Sequence, residues 1–177
     1  MDINETAASL GLTACIAIDP AVLEPEEHVR NYCRANKCGA YGRNYMCPPY
    51  SGMLDKLRNK FRDYSAAWLF TYSVPLDVKN DPEGVKQSRL DFHRKILEME
   101  KAFPPESRVW GLIGGRCGLC EKCSVLIGKP CAHSKDARSS LESVGIDVAK
   151  VMEAAGLTLE FRDDRVTWTG CVLTKGD

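Results

Sequence analysis

The chain has no excess of charge of either sign. Its 24 Lys and Arg balance 24 Asp and Glu over 177 residues. That balance argues against a general nucleic-acid or polyanion binder and leaves room only for a local basic patch. The start, Met1-Asp2-Ile3-Asn4-Glu5-Thr6, lacks a basic segment followed by an apolar one, so no secretory signal is expected. No apolar run approaches the length of a membrane span. There is no phosphate loop ending in Lys-Ser/Thr, no Gly-x-Ser-x-Gly, no His-Glu-x-x-His and no Cys-x3-Cys-x2-Cys. P-loop, nucleophile-elbow, zinc-protease and radical-type chemistries therefore lose their usual signatures. Internal repeats and low-complexity segments are absent. Histidines number three. His133, two residues past Cys131, could serve a cofactor as ligand or proton donor. Lone histidines are mostly surface or satisfied core residues, so His28, His93 and His133 stay outside the ligand set.

What the chain has in quantity is cysteine, nine residues of it. Without export a disulfide framework is not expected, and metal or redox chemistry becomes the better use of the thiols. Cys117, Cys120, Cys123 and Cys131 follow the pattern Cys-x2-Cys-x2-Cys-x7-Cys. Three thiolates on one tight turn gain little from packing and much from a shared metal group. The run of three suits a cubane iron–sulfur cluster better than zinc, whose thiolates usually come in separated pairs. Gly114, Gly115 and Gly118 would let backbone N–H groups approach the sulfurs, and Arg116 and Lys122 add positive charge. The bland alternatives are a zinc knot or inert buried cysteines.

A second set is looser: Cys33-x4-Cys38-x8-Cys47-Pro48-Pro49. In bacterial ferredoxin runs a Cys-Pro ending belongs to a ligand that serves the other cluster. The loop would thus hold a second cluster, or lend Cys47 to the first in place of Cys131, or have no cofactor role. Four plus three gives seven cysteines, whereas two fully thiolate-ligated cubanes need four each. Cys15 and Cys171 are the spares, each in an expected strand where an inert buried thiol is commoner. If neither reaches the loop, one cluster has an open metal position. Tyr41, Tyr45 and Tyr50 suit loop packing over a cofactor. Lys56, Arg58, Lys60 and Arg62 suit a solvated helix face, or in a minority reading a dock for an acidic redox partner.

Periodicity and punctuation place these sets on an α+β domain, a small mixed or antiparallel sheet with helices packed on it. Strands are expected at 14–18, 65–74 and 108–113, the last ending at Gly114-Gly115. Thr158–Phe161 and Arg165–Leu173 read as a hairpin. Helices are expected from Pro25 to about Tyr32, from about Met53 to Phe61 behind a Ser51 cap, and over about 83–103 behind Asp81-Pro82. Further ones are expected from Ser134 to about Ser143 and after Asp147, with Gly156 as a stop. The whole of 1–177 is taken as one iron–sulfur-binding domain with cysteine loops at 33–50 and 114–133.

Several stretches are similar to a known family. Arg30-Asn31-Tyr32-Cys33, Asn36-Lys37-Cys38-Gly39-Ala40-Tyr41-Gly42 and Cys47-Pro48-Pro49-Tyr50 resemble the N-terminal signature of domain of unknown function 2284. Gly114 through Cys131 and Ala137-Arg138-Ser139-Ser140-Leu141-Glu142-Ser143-Val144-Gly145-Ile146-Asp147-Val148 resemble its C-terminal one. Its members are described as metal-binding proteins. The resemblance implies ligand roles for Cys33, Cys38, Cys47, Cys117, Cys120, Cys123 and Cys131, and it implies no reaction. The family often has a proline within the stretch here written Arg138-Ser139-Ser140; its absence bears on how a helix would start there more than on ligation. The expectation is a cytoplasmic protein with one or two [4Fe-4S] clusters, two being favoured, acting in electron transfer or as a redox accessory to a partner protein. An enzyme with an open-iron cluster acting on a small molecule, and a structural zinc module, are the alternatives.

Overall fold

A computed structural model describes residues 2–175. The order is α1 (Ile3–Ser9), β1 (Ala14–Ile18), α2 (Glu27–Arg34), α3 (Leu54–Arg62), β2 (Ala66–Pro75), α4 (Pro82–Lys101), β3 (Arg108–Leu112), α5 (Val148–Ala154) and β4 (Arg165–Lys175). The sheet runs β1-β2-β4-β3, antiparallel at every step. The expected α+β architecture is what forms.

Alternation in β2 explains the layering. Leu69 faces one side and Phe70 the other, and both are fully buried. On the Leu69 side, Leu57 and Phe61 of α3 and Val151 and Met152 of α5 close over Cys171 and Leu173 of β4. On the Phe70 side, Phe92, Ile96 and Met99 of α4 and Ala7 of α1 close over Val172. The four- and three-residue spacings of the α4 residues put them on one helical stripe. Asp81 starts that helix by accepting the Gly84 N–H at 2.8 Å, with Pro82 in the first turn where its missing N–H costs nothing. Asp147 caps α5 in the same way.

Three local expectations fail, each because a tertiary partner takes the groups involved. The hairpin does not form: β4 pairs with β2 over ten positions, from Ala66 opposite Thr174 to Pro75 opposite Arg165, and with β3 on its other edge. The pairing to the β2 side runs on through the expected turn, where the Leu76 and Val78 N–H groups donate to Asp164 O at 3.2 Å and Asp163 O at 2.9 Å, so residues 158–161 form no strand and Phe161 stands 93% exposed. The helix expected from Ser134 is replaced by turns and a 3-10 turn at Glu142–Val144. Backbone bonds to Ile113, from its N–H to Ser139 O (3.0 Å) and from the Leu141 N–H to its carbonyl (3.2 Å), hold 139–141 extended beside the end of β3. Ser51 does not cap α3; its hydroxyl donates to Ser143 O at 2.7 Å instead, and the helix starts behind Met53.

The basic face of α3 is solvated at Lys56 and Arg62 and engaged at Arg58 and Lys60. Arg58 donates to Pro25 O at 3.0 Å and pairs with Asp55, Arg62 faces Glu24, and Lys60 lies 3.4 Å over the Trp110 ring, where burial brings its pKa down to about 8. Among the described residues, no helix is long and apolar enough to cross a membrane.

Candidate metal centre

α2 ends by presenting Cys33 in its last turn. The chain then folds through Asn36, which adopts a left-handed backbone conformation and accepts the Tyr41 N–H at 3.0 Å, past Cys38 and on to the buried Cys47. The other loop leaves β3 at Gly114. A side chain there would put its Cβ 2.9 Å from Thr169 O and 3.0 Å from Thr169 N of β4, so only glycine lets the strand turn out so close to its neighbour. This is a packing role, not the expected approach to sulfur. The N–H groups that do reach the Cys117 sulfur belong to Leu119 and Arg138.

Three hydrogen bonds tie the loops together. Asn44 Nδ2 donates to Cys117 O at 2.9 Å, Tyr45 Oη to Lys129 O at 2.9 Å, and Arg116 Nη1 to Cys38 O at 3.2 Å. Behind them, Arg138 makes two bonds to the Glu100 carboxylate, at 2.7 and 2.6 Å, and Glu100 also accepts the Gly111 N–H at 2.8 Å. That largely buried bidentate pair anchors the segment after Cys131 to α4 and β3.

The seven cysteines divide between two cavities. Cys117, Cys120, Cys123 and Cys131 line one of about 460 Å³, with His133 and Tyr45 also on its wall. Cys33, Cys38 and Cys47 line another of about 590 Å³, with Tyr41, Trp168 and Glu142. Ala40, Arg89 and Arg116 belong to both walls. Neither spare cysteine is on either wall. Cys171 is fully buried in the sheet, and burial pushes its thiol far up; Cys15 packs against the α4 side. His28 lies apart, between Glu26 and Asp147, and His93 is on the buried face of α4 with its Nε2 donating to Asp136 O at 2.8 Å. Tyr50 stacks edge-on against Tyr45.

Electrostatics repeats the division. Burial raises the Cys47 thiol to about 12, and the next contributions come from Cys38 and Cys33, then from Cys117 across the shared wall. Burial also raises Cys117, whose neighbouring thiols are Cys131 and Cys120. Cys33 is raised by burial, with Arg30 acting against it and Cys38 and Glu142 adding to it. Thiols held so high lose their protons readily only to a cationic group that replaces them.

The donors suit an iron–sulfur group. The seven thiols line cavity walls, and a cubane takes thiolates around its outside. Arg89 supplies the second observation. Its Nε is buried and has no hydrogen-bond partner, and the side chain sits beside Cys117 and Arg116. An unpaired buried guanidinium nitrogen is costly unless negative charge comes to lie against it.

Two residues that hold this arrangement carried no chemical signal of their own in the sequence. Arg30, 7% exposed, donates to Ser143 O at 2.9 Å and Gly52 O at 2.8 Å, joining α2 to the Glu142–Val144 turn and to the chain just after Pro49. Gly145 closes that turn at φ +93°, where Leu54 leaves no room for a Cβ. Both lie inside the stretches that resemble a known family, which is where they could have been found.

Among solved structures, the chain is similar to epoxyqueuosine reductase from Streptococcus thermophilus, with 10% sequence identity and a TM-score of 0.41. The likeness covers 97% of this chain and 44% of that one, so the chain spans less than half of that protein's length. No curated protein matches. A family model described as "Predicted metal-binding protein (DUF2284)" matches residues 16–174. With nearly its whole length and all seven cavity-lining cysteines inside that match, the chain belongs to this family of metal-binding proteins.

Proposed function

We propose that the chain is a single-domain iron–sulfur protein holding two [4Fe-4S] clusters, working in electron transfer or as a redox accessory to a partner protein in the cytoplasm. The observation that carries this is the four-plus-three division of cysteines between two cavities that share a wall. When bound, such clusters supply one-electron redox chemistry. Cys117, Cys120, Cys123 and Cys131 would hold one, and Cys33, Cys38 and Cys47 the other. The Leu119 and Arg138 N–H groups spread the sulfur charge of Cys117. Arg89 and Arg116 set positive charge against both sites, and the Asn44 bond to Cys117 O keeps the two loops in register. Nine free thiols fit a reducing compartment.

A second reading has its own observation. The three-cysteine cavity is large enough for a small molecule and has Tyr32, Tyr41 and Trp168 on its wall. A metal position there not taken by thiolate could bind a substrate as a Lewis acid, making the chain an enzyme. Anaerobic purification followed by iron and sulfide determination, with electron paramagnetic resonance of the reduced protein, tests the proposal. About eight irons and eight sulfides per chain are expected, with a spectrum broadened by two neighbouring spins. A colourless protein with stoichiometric zinc overturns it in favour of a structural zinc module. About four irons, unchanged by Cys33→Ala, reduces it to one cluster.

A further inference from the structure

The cavity lined by Cys33, Cys38 and Cys47 is one thiolate short of a full cubane set, and neither Cys15 nor Cys171 reaches it. Glu142 does. Among the described residues it is the one carboxylate on the wall of that cavity. The residue is exposed and lines that cavity. Cys33 is its near neighbour, with Sγ 3.8 Å from the Glu142 carbonyl oxygen.

The turn carrying Glu142 is rigidly placed. Ser140 Oγ accepts the Ser143 N–H at 3.1 Å. Ser143 O is held by both Arg30 and Ser51. Arg30 thereby joins the turn bearing Glu142 to the helix bearing Cys33. A carboxylate oxygen is a competent iron ligand at a position that no thiolate reaches. Three cationic side chains line the cavity: Lys37, and Arg89 and Arg116 on the wall shared with the other site.

We infer that Glu142 is the fourth protein ligand of the three-cysteine site, its carboxylate oxygen taking the metal position that no cysteine reaches. This rests on the iron–sulfur reading above. It makes the two sites chemically unequal. The four-cysteine site is closed by soft sulfur, and the other ends on a hard oxygen that a softer donor displaces from iron. The small-molecule thiol is the donor class that this position accepts.

The test uses anaerobically purified full-length protein, as wild type and as Glu142→Gln, Glu142→Cys and Cys33→Ala. Circular dichroism confirms the fold of each, and the readouts are iron per chain and paramagnetic resonance with and without β-mercaptoethanol. The wild-type spectrum is expected to change on adding the thiol. Glu142→Gln should lose about one iron of about eight and show a three-iron signal when oxidised. Glu142→Cys should keep full iron and stop responding to the thiol. If Cys33→Ala alters the iron count and spectrum while Glu142→Gln matches wild type in both, the Glu142 assignment alone is overturned. If Cys33→Ala also matches wild type, the three-cysteine site itself is refuted and the assignment with it.

Discussion

Replacing Arg30 with alanine should unseat the three-cysteine site while sparing its neighbour. The guanidinium is buried and donates to Ser143 O at 2.9 Å and Gly52 O at 2.8 Å, with Ser51 Oγ more distant at 3.5 Å. Hydrogen bonds from a charged donor are worth about 1.5–3 kcal/mol each. Ser143 O keeps the Ser51 hydroxyl at 2.7 Å, so its loss is softened, whereas Gly52 O loses its Arg30 donor. A destabilisation of about 3–4 kcal/mol follows. At ~2–4 °C per kcal/mol for a chain of this size, the melting midpoint should fall by roughly 6–16 °C. Because Arg30 ties Cys33 to the turn opposite it, iron should be lost from that site and kept by Cys117, Cys120, Cys123 and Cys131. Arg30→Lys should fall between, since an ammonium cannot reproduce the two-armed geometry. Thermal circular dichroism with iron determination is the assay. A midpoint within ~2 °C of wild type together with full iron would refute the clamp.

Cys171→Ser should leave iron content unchanged and lower stability by ~1–3 kcal/mol, because a hydroxyl replaces a thiol in a fully buried sheet position; Cys15→Ser should leave iron unchanged too. Loss of iron from either variant would return it to the ligand set. Gly114→Ala should loosen the Cys117 loop, since its Cβ meets the Thr169 backbone; lower iron retention during gel filtration is the readout, and undiminished retention counts against the close approach. His93 is held below its ordinary pKa chiefly by burial, with Nδ1 facing no partner. The unfolded chain therefore binds the extra proton first. Stability present above about pH 6.5 is lost as pH falls through that value. Melting midpoints at about pH 7.5 and 5.5 should differ less in His93→Gln than in wild type, and an equal difference in both would remove His93 as the cause.

Much of the local structure is legible along the chain. The α4 stripe, the Asp81 and Asp147 caps and the alternation of β2 are set by residues within a few positions of one another. Their periods match the geometry that forms. The chemistry is legible for the same reason. Cys117, Cys120 and Cys123 lie on one short stretch of backbone, so their spacing alone brings them to one cavity wall. Strand pairing and the division of the cysteines are different in kind. β4 pairs with strands far from it in sequence, and the segment after β2 takes the Asp163 and Asp164 carbonyls that a hairpin turn to residues 158–161 would need. The two cysteine loops meet through the bond from Asn44 to Cys117 O, across 73 residues. The sequence by itself determined an α+β chain of a metal-binding family with two cysteine-rich loops. Only the tertiary structure decided that Cys131 lines the cavity of the first trio, that Cys15 and Cys171 line neither cavity, and that Glu142 and Arg89 lie on cavity walls. Those outcomes depend on which distant backbone groups satisfy one another, and no local pattern encodes that.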